Sequence, residues 1–418
     1  MATWNPNNET PAQRLQRLNH LAADGSASAN ELLEIITLSN ALGVPLTPQQ
    51  QDPAYIKQLE QAAAQAPVVQ ADPRGRILSS KDYFTSGAYA ADTQWFNKVS
   101  GKRTGYDNLD DVQNFYPGLY VIGAITSLGK TTFIHQMADQ LASQGTHVLY
   151  FSLEQSRAEL MAKSLARKSY QMAGEPTFPN GPQSIGNILQ IVTAQNALRF
   201  RRSYPEPSNP PTGKEMKPMV DRIIDAYIKD VDDRLYIIQG QFGLTVEHII
   251  YYVEDFIKQT GIVPVVVVDY LQIIRPSEHN GRLLDGRAAV DHAVSSLKQL
   301  QLKYDLILIL ISSLNRQNYM LPVDQESFKE SGGIEYTVDV LWGLQLAVLH
   351  SEEFTGKKGQ KAPTVAQQRE MILKARTETP RKIELVNLKN RFNQPGYTCY
   401  YDYYAAYDAF CEDGYSKP

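Results

Sequence analysis

Residues 124–132 read AITSLGKTT and stand directly between an apolar run of strand length, Leu119 to Gly123, and a helical stretch. In that stretch Phe133, Ile134, Met137 and Leu141 recur at helical spacing, and Gly145 is placed to end it. Strand, tight loop and helix in this order are the context a phosphate-binding loop requires. Consecutive backbone N–H groups and the helix N-terminus surround an anion there. The binding set is Ala124, Ser127, Gly129, Lys130, Thr131 and Thr132. Gly129 keeps a side chain out of the way, Lys130 can neutralise β- and γ-phosphates, and the Thr131 hydroxyl can ligate magnesium; an ordinary strand–helix turn is the plain alternative. The first glycine of the common pattern is replaced by Ala124.

A loop of this kind belongs at the edge of a parallel sheet, and the surrounding sequence supplies one. From about residue 101, apolar runs alternate with helical stretches: GLYVIGA, HVLYFSL, RLYIIQG, VPVVVVDY, LILILISS, VLWGLQLAVL and IELVNLKN. Runs apolar on successive residues suit strands buried on both faces, and alternation with helices implies an α/β fold with a largely parallel, helix-flanked sheet. We expect this domain over 101–412. Residues 1–75 read as a helical appendage and tether. Thr10–Pro11 gives a helix start, and Ser28 with Glu31 has capping-box spacing. Leu32, Leu33, Ile35, Ile36 and Leu42 then form a stripe closed near Gly43, and a proline- and glutamine-rich connector follows. Residues 76–100 are a linker, helical over about 79–98, and the proline-rich stretch 203–218 reads as a surface loop.

Bulk properties narrow the class. The chain has 43% hydrophobic and 21% charged residues, ordinary for a globular protein. No uninterrupted apolar run has membrane-spanning length, and the N-terminus lacks a secretory pattern. Two cysteines, Cys399 and Cys411, point to a reducing compartment, so a cytoplasmic location is expected. A net charge of -4 argues against a broadly basic protein that coats nucleic acid, while leaving room for contacts through a few loops.

Two carboxylates follow apolar runs. Glu154, in FSLEQS, comes 24 residues after Lys130 and can polarise an attacking water; it can equally be a solvated residue capping the helix near Arg157. Asp269 ends VPVVVVD, where a buried acid is costly without a donor or metal. It is a candidate for the magnesium shell, with a helix-capping or turn role as the alternative.

Taken together these residues resemble the DnaB-type replicative helicase family, whose C-terminal domain is RecA-like. The likeness runs over about 101–410: TGYDNLD, AITSLGKTT, FSLEQS, VVVVDYLQII, SSLNR, KESGGIE and LKNRFNQPG follow in family order. That phosphate loop commonly begins with alanine, as here. The resemblance implies ATP and Mg2+ as cofactors, Lys130 and Thr131 as their ligands, Glu154 as the catalytic carboxylate and Asp269 as the magnesium-organising acid. It implies that Lys389 and Arg391 reach the ATP of a neighbouring subunit, hence self-association in a ring, expected to be a hexamer. Two cations at this spacing on a strand share a face and can offset charge on a γ-phosphate; a solvated basic edge is the plain alternative. Lys329, Glu330 and Gly332 would touch single-stranded DNA from a pore-lining loop, unless KESGGIE is simply a flexible turn.

Departures accompany the likeness. Ser313 stands where the family usually has glutamine, and Lys329 where arginine is common. The first ~100 residues do not resemble the family's collar domain, and stretches near 203–218 and 351–370 look like insertions. Arg199, Arg201 and Arg202 form a basic cluster for which a solvated helix face is the simpler reading. The expected function is ATP-driven unwinding or translocation on single-stranded DNA, 5′ to 3′, with a primase or loader as possible partner and no membrane. A DNA-stimulated ATPase that works as an assembly or loading factor without unwinding is the alternative.

Overall fold

The computed structural model describes residues 79–85, 87–173, 181–192, 213–240, 244–269, 271, 274, 278–279, 282–283, 286–314, 320–328, 336–356 and 363–416. Of the N-terminal region it describes 15, 16, 18, 19, 22, 32, 35–39, 44–48 and 50–57. The chain divides into two compact units, Met1–Ala88 and Tyr89–Pro418.

In the first unit, residues 35–39 are helical, and Leu15, Leu18 and Ile35 are buried together with Ala22, Leu32 and Leu38 against them. These positions follow helical spacing, so each segment buries one stripe against the other. The starts expected at Thr10–Pro11 and at Ser28–Glu31, and the stop near Gly43, lie outside the described residues. The helix expected over 79–98 is two helices, Ser80–Thr85 and α1 (Ala88–Val99). Gly87 lies between them at φ 86, a conformation that breaks helical geometry and costs glycine little.

The second unit is built on a nine-stranded sheet. Its strands are β1 (Gly118–Ala124), β2 (Val148–Ser152), β3 (Leu235–Gln239), β4 (Val265–Asp269), β5 (Ile307–Ser313), β6 (Val340–Leu346), β7 (Arg381–Asn390), β8 (Thr398–Tyr404) and β9 (Ala409–Ser416). Their order across the sheet is β9-β8-β7-β6-β1-β5-β4-β2-β3. Strands β6, β1, β5, β4, β2 and β3 pair in parallel, and β7, β8 and β9 extend the sheet with antiparallel pairings. The principal helices are α2 (Lys130–Ser143), α3 (Arg157–Met172), α4 (Ile185–Val192), α5 (Gly213–Val231), α6 (Val246–Thr260), α7 (Gly286–Tyr304) and α8 (Val365–Thr377).

Alternate residues of each central strand feed two separate cores. Tyr120, Ile122, Val265, Val267, Ile307 and Ile309 pack with Phe133, Met137 and Leu141 of α2. Leu119, Val121, Val266, Val268, Leu308 and Leu310 pack with Val253 of α6 and Leu297 of α7. Strands covered on both faces need the continuous apolar runs seen in the sequence. A smaller cluster joins α3, α4 and α5 through Leu165, Ile188 and Ile223.

Two expectations change. The stretch read as loop over 203–218 ends in helix: α5 begins at Gly213 and contains Pro218, which is exposed. Burial of Met219, Val220 and Ile223 on the following turns outweighs the donor that proline lacks there. The run VLWGLQLAVL is strand only to Leu346, then a 3-10 turn, Ala347–His350. Among the described residues, no helix is long and apolar enough to cross a membrane.

Candidate active site

Parallel strands deliver their carboxyl ends to one edge of the sheet, and the phosphate loop leaves β1 there. Two left-handed residues make its turn, Ser127 at φ 67 and Gly129 at φ 92. A side chain on Gly129 would press within 3.0 Å of the Phe410 ring as well as adopt a strained backbone. Helix α2 starts at Lys130 and is closed by a Schellman-type exit: Gly145 at φ 89, with Gly145 N–H on the Ala142 carbonyl and Thr146 N–H on that of Leu141. Lys130 Nζ donates to the Ala124 carbonyl at 2.8 Å, so the lysine lies across the mouth of its own loop. Burial lowers its pKa, and the charges of Asp269 and Glu154 act against that shift.

Asp269 ends β4 with its carboxylate facing α2. Thr131 Oγ1 donates to Oδ1 at 3.3 Å and the Tyr150 hydroxyl donates to Oδ2 at 2.9 Å. Burial pushes its pKa up to about 6, against the pull of those two hydroxyls and of Lys163. Its backbone carbonyl accepts from Leu153 N, which ties β4 to the turn carrying Glu154. Glu154 is exposed, and the cap of α3 is Ser156, which forms a reciprocal capping box with Glu159. Helix capping therefore does not occupy Glu154. Thr131 and Asp269 offer hard oxygen donors side by side, a set that fits Mg2+ held jointly with a nucleotide's phosphates. Ser313, at the end of β5, stands in register with Ala124.

Three contributors were not evident in the sequence. Arg376, at the end of α8, donates to the Thr126 carbonyl at 3.1 Å, and Arg381, opening β7, donates to that of Ser127 at 2.8 Å. Thr132 donates to Asp408 Oδ1 at 2.7 Å. Asp408, in the turn between β8 and β9, is buried beside Arg167; burial favours its neutral form, but Lys163 and Arg167 outweigh this and hold its carboxyl below the usual range. These contacts hold the loop from outside through its carbonyls and the Thr132 hydroxyl.

Lys389 and Arg391 lie elsewhere. β7 runs antiparallel to β6, so its last residues return to the opposite edge of the sheet, where Asn390 pairs with Val340. Arg391 falls just past the strand, and a register shift at Leu341/Trp342 interrupts the alternation around Lys389. Arg391 Nη1 meets Asp339 Oδ1 at 3.0 Å, and Asp339 Oδ2 accepts from Leu119 N at the start of β1. Leu119 and Ala124 are five residues apart on β1, so roughly 16 Å of strand separates this edge from the chain's own loop. Lys329, Glu330 and Gly332 lie outside the described residues. The segment before them is anchored by Val323 N on Gln345 Oε1 at 2.8 Å and by the buried Phe328, for which Gly123 leaves room.

The model of a family described as the DnaB-like helicase C terminal domain matches residues 101–175 and 211–394. No curated protein matches the chain. Among solved structures, an ATPase domain aligns with TM-score 0.54 and 18% identity, covering 81% of this chain and 100% of its own. A DnaB-like replicative helicase, solved for its interactions with primase, aligns with TM-score 0.53 and 17% identity, covering 97% of this chain and 92% of its own. At these identities the likeness establishes the fold: a mostly parallel, helix-flanked sheet of the RecA kind.

Proposed function

The chain belongs to the DnaB-like helicase C-terminal domain family, and on that premise we propose that it is an ATP-dependent helicase or translocase working on single-stranded DNA. Subunits form a ring, a hexamer, with ATP and Mg2+ bound at the seams between them and movement running 5′ to 3′. The setting is cytoplasmic, and a primase or loader is the fitting partner, as primase is for the solved helicase above.

One observation carries this reading. Phosphate loop, Glu154 and the Thr131–Asp269 pair share one edge of the sheet, while Arg391 stands at the other, half exposed. A loop and a cation separated in this way complete each other only between two copies of the chain. In the completed seam, Lys130 leaves the Ala124 carbonyl for the β- and γ-phosphates. Glu154 accepts hydrogen bonds from the water placed against the γ-phosphorus and takes up its proton as the P–O bond to ADP breaks. Thr131 and Asp269 would hold Mg2+, which would supply positive charge beside the phosphates when bound. Lys389 and Arg391 of the neighbour meet the charge spreading on the γ-phosphoryl group. Lys329, Glu330 and Gly332 grip the DNA backbone without reading bases, which suits a motor that must pass every sequence.

Unwinding of a forked DNA with ATP and magnesium, with native mass measured alongside, tests the proposal on the wild type and on Lys130→Ala. The expected result is strand separation by a multimer, abolished by the substitution. A monomer inert on every fork contradicts it, and DNA-stimulated ATP turnover without strand separation favours a nucleotide-switched loading factor.

A further inference from the structure

Arg391 is gripped in a way that a solvated surface arginine is not, and the grip centres on Asp339. This aspartate precedes β6 and is 5% exposed. Its backbone joins two elements: Asp339 N donates to the Leu119 carbonyl at 2.9 Å, and Arg391 N donates to the Asp339 carbonyl at 2.9 Å. Its side chain repeats the link. Oδ2 accepts from Leu119 N at 2.8 Å and from Lys298 Nζ of α7 at 2.6 Å, which leaves Oδ1 for Arg391 Nη1 at 3.0 Å. With the second oxygen taken, Arg391 is held end-on through one nitrogen instead of by a two-point fork. Its Nη2 donates to the Tyr336 carbonyl at 3.3 Å, and its side chain stays 51% exposed.

The backbone around Arg391 is equally constrained. Asn390 Oδ1 accepts from both Phe392 N and Asn393 N, and the Phe392 ring packs edge-on against Tyr116 over Gly118, where a Cβ would approach it to 2.7 Å. One carboxylate also faces two cations, Lys298 and Arg391, so the pairing orients the guanidinium without cancelling its charge. We propose, resting on the seam reading above, that Asp339 is the positioning residue of Arg391, aiming its guanidinium outward for the neighbouring subunit's γ-phosphate, with Lys298 holding the carboxylate turned.

A double-mutant cycle on the full chain tests this, with kcat and KM for ATP measured beside the thermal midpoint for wild type, Asp339→Asn, Arg391→Ala and the double variant. Asp339→Asn is expected to lower kcat by about tenfold or more with KM within about twofold, because a misaimed group loses rate before binding. Arg391→Ala is expected to lower kcat on the order of a thousandfold. In the Arg391→Ala background Asp339→Asn then lowers kcat no further, although it still lowers the thermal midpoint there, because Leu119 N and Lys298 lose their ionic partner in either background. Losses in kcat that multiply in the double variant overturn the proposal, since the carboxylate then acts through the fold. If Asp339→Asn keeps wild-type kcat while Arg391→Ala collapses it, positioning fails and the seam reading stands; if Arg391→Ala keeps wild-type kcat, both fail. Where Asp339→Asn does not fold, Asp339→Glu keeps the charge beside Lys298 and displaces the carboxylate by one methylene. It is expected to lower kcat at unchanged KM, and an unchanged kcat overturns the proposal.

Discussion

Asp269 shows at single-residue scale what the site costs the fold. The carboxylate is buried at the end of a strand with two hydroxyls and, among the described residues, no directly paired cation. With its pKa near 6 in the folded chain and about 3.8 when unfolded, the native state binds more protons across that window. Stability therefore falls as pH rises from about 4 through 6, and ionisation costs about 3 kcal/mol at neutral pH. Asn at this position removes the charge and can still pair with both hydroxyls, its oxygen accepting from one and its amide N–H donating to the other. Urea unfolding of the nucleotide-free protein at pH 7.5 should show Asp269→Asn more stable than wild type by about 1–3 kcal/mol, shrinking towards zero at pH 4, with ATP turnover lost. Equal gains at both pH values would show that the buried charge is not the source.

At the scale of elements, the corner where α2, α3 and the β8–β9 turn meet is a buried polar cluster. Arg167 contacts Asp139 at 2.8 Å and Asp408 at 3.2 Å, and its Nη2 lies 3.3 Å from His135 Nδ1. Arginine only donates, so Nδ1 accepts and the ring proton sits on Nε2, 3.4 Å from Ser164 Oγ. Burial lowers the His135 pKa to about 4, against the pull of Asp139. The unfolded chain binds more protons between pH 4 and 6.5, so this stabilisation is complete above 6.5 and is lost as pH falls towards 4, at most about 3 kcal/mol. His135→Gln should flatten that limb of the stability curve in urea titrations; an unchanged slope contradicts the assignment. Asp269 acts in the opposite sense over nearly the same window, so the two variants must be compared separately.

That corner also marks where the sequence stops being legible. β1 to β7 are visible because continuous apolar residues have few homes other than a doubly covered sheet, and the loop with Glu154 and Asp269 is visible because strand ends locate it. β8 and β9 are hidden: TCYYDYY mixes aromatic and polar residues, and β9 is exposed from Glu412 onward. Arg376 reaches Thr126 across 250 residues, Asp408 reaches Thr132 across 276, and nothing local in either segment announces the meeting. The surface loop expected to 218 fails at α5 because packing, not proline content, decides that segment.

For the whole molecule, the decisive property is polarity. Strands of one sheet carry the phosphate loop out at one edge and return Arg391 to the other. If the seam reading proposed above holds, catalysis belongs to an assembly of this DnaB-like family member. Subunit complementation tests this most directly. Lys130→Ala and Arg391→Ala proteins are prepared separately, each expected to be inactive, then dissociated, mixed in equal amounts and reassembled before DNA-stimulated ATP turnover is measured. If Arg391 serves the neighbour, the mixture regains activity at about a quarter of its seams, those joining an intact loop to an intact arginine. A verified mixed assembly that stays as inactive as either parent would contradict the account.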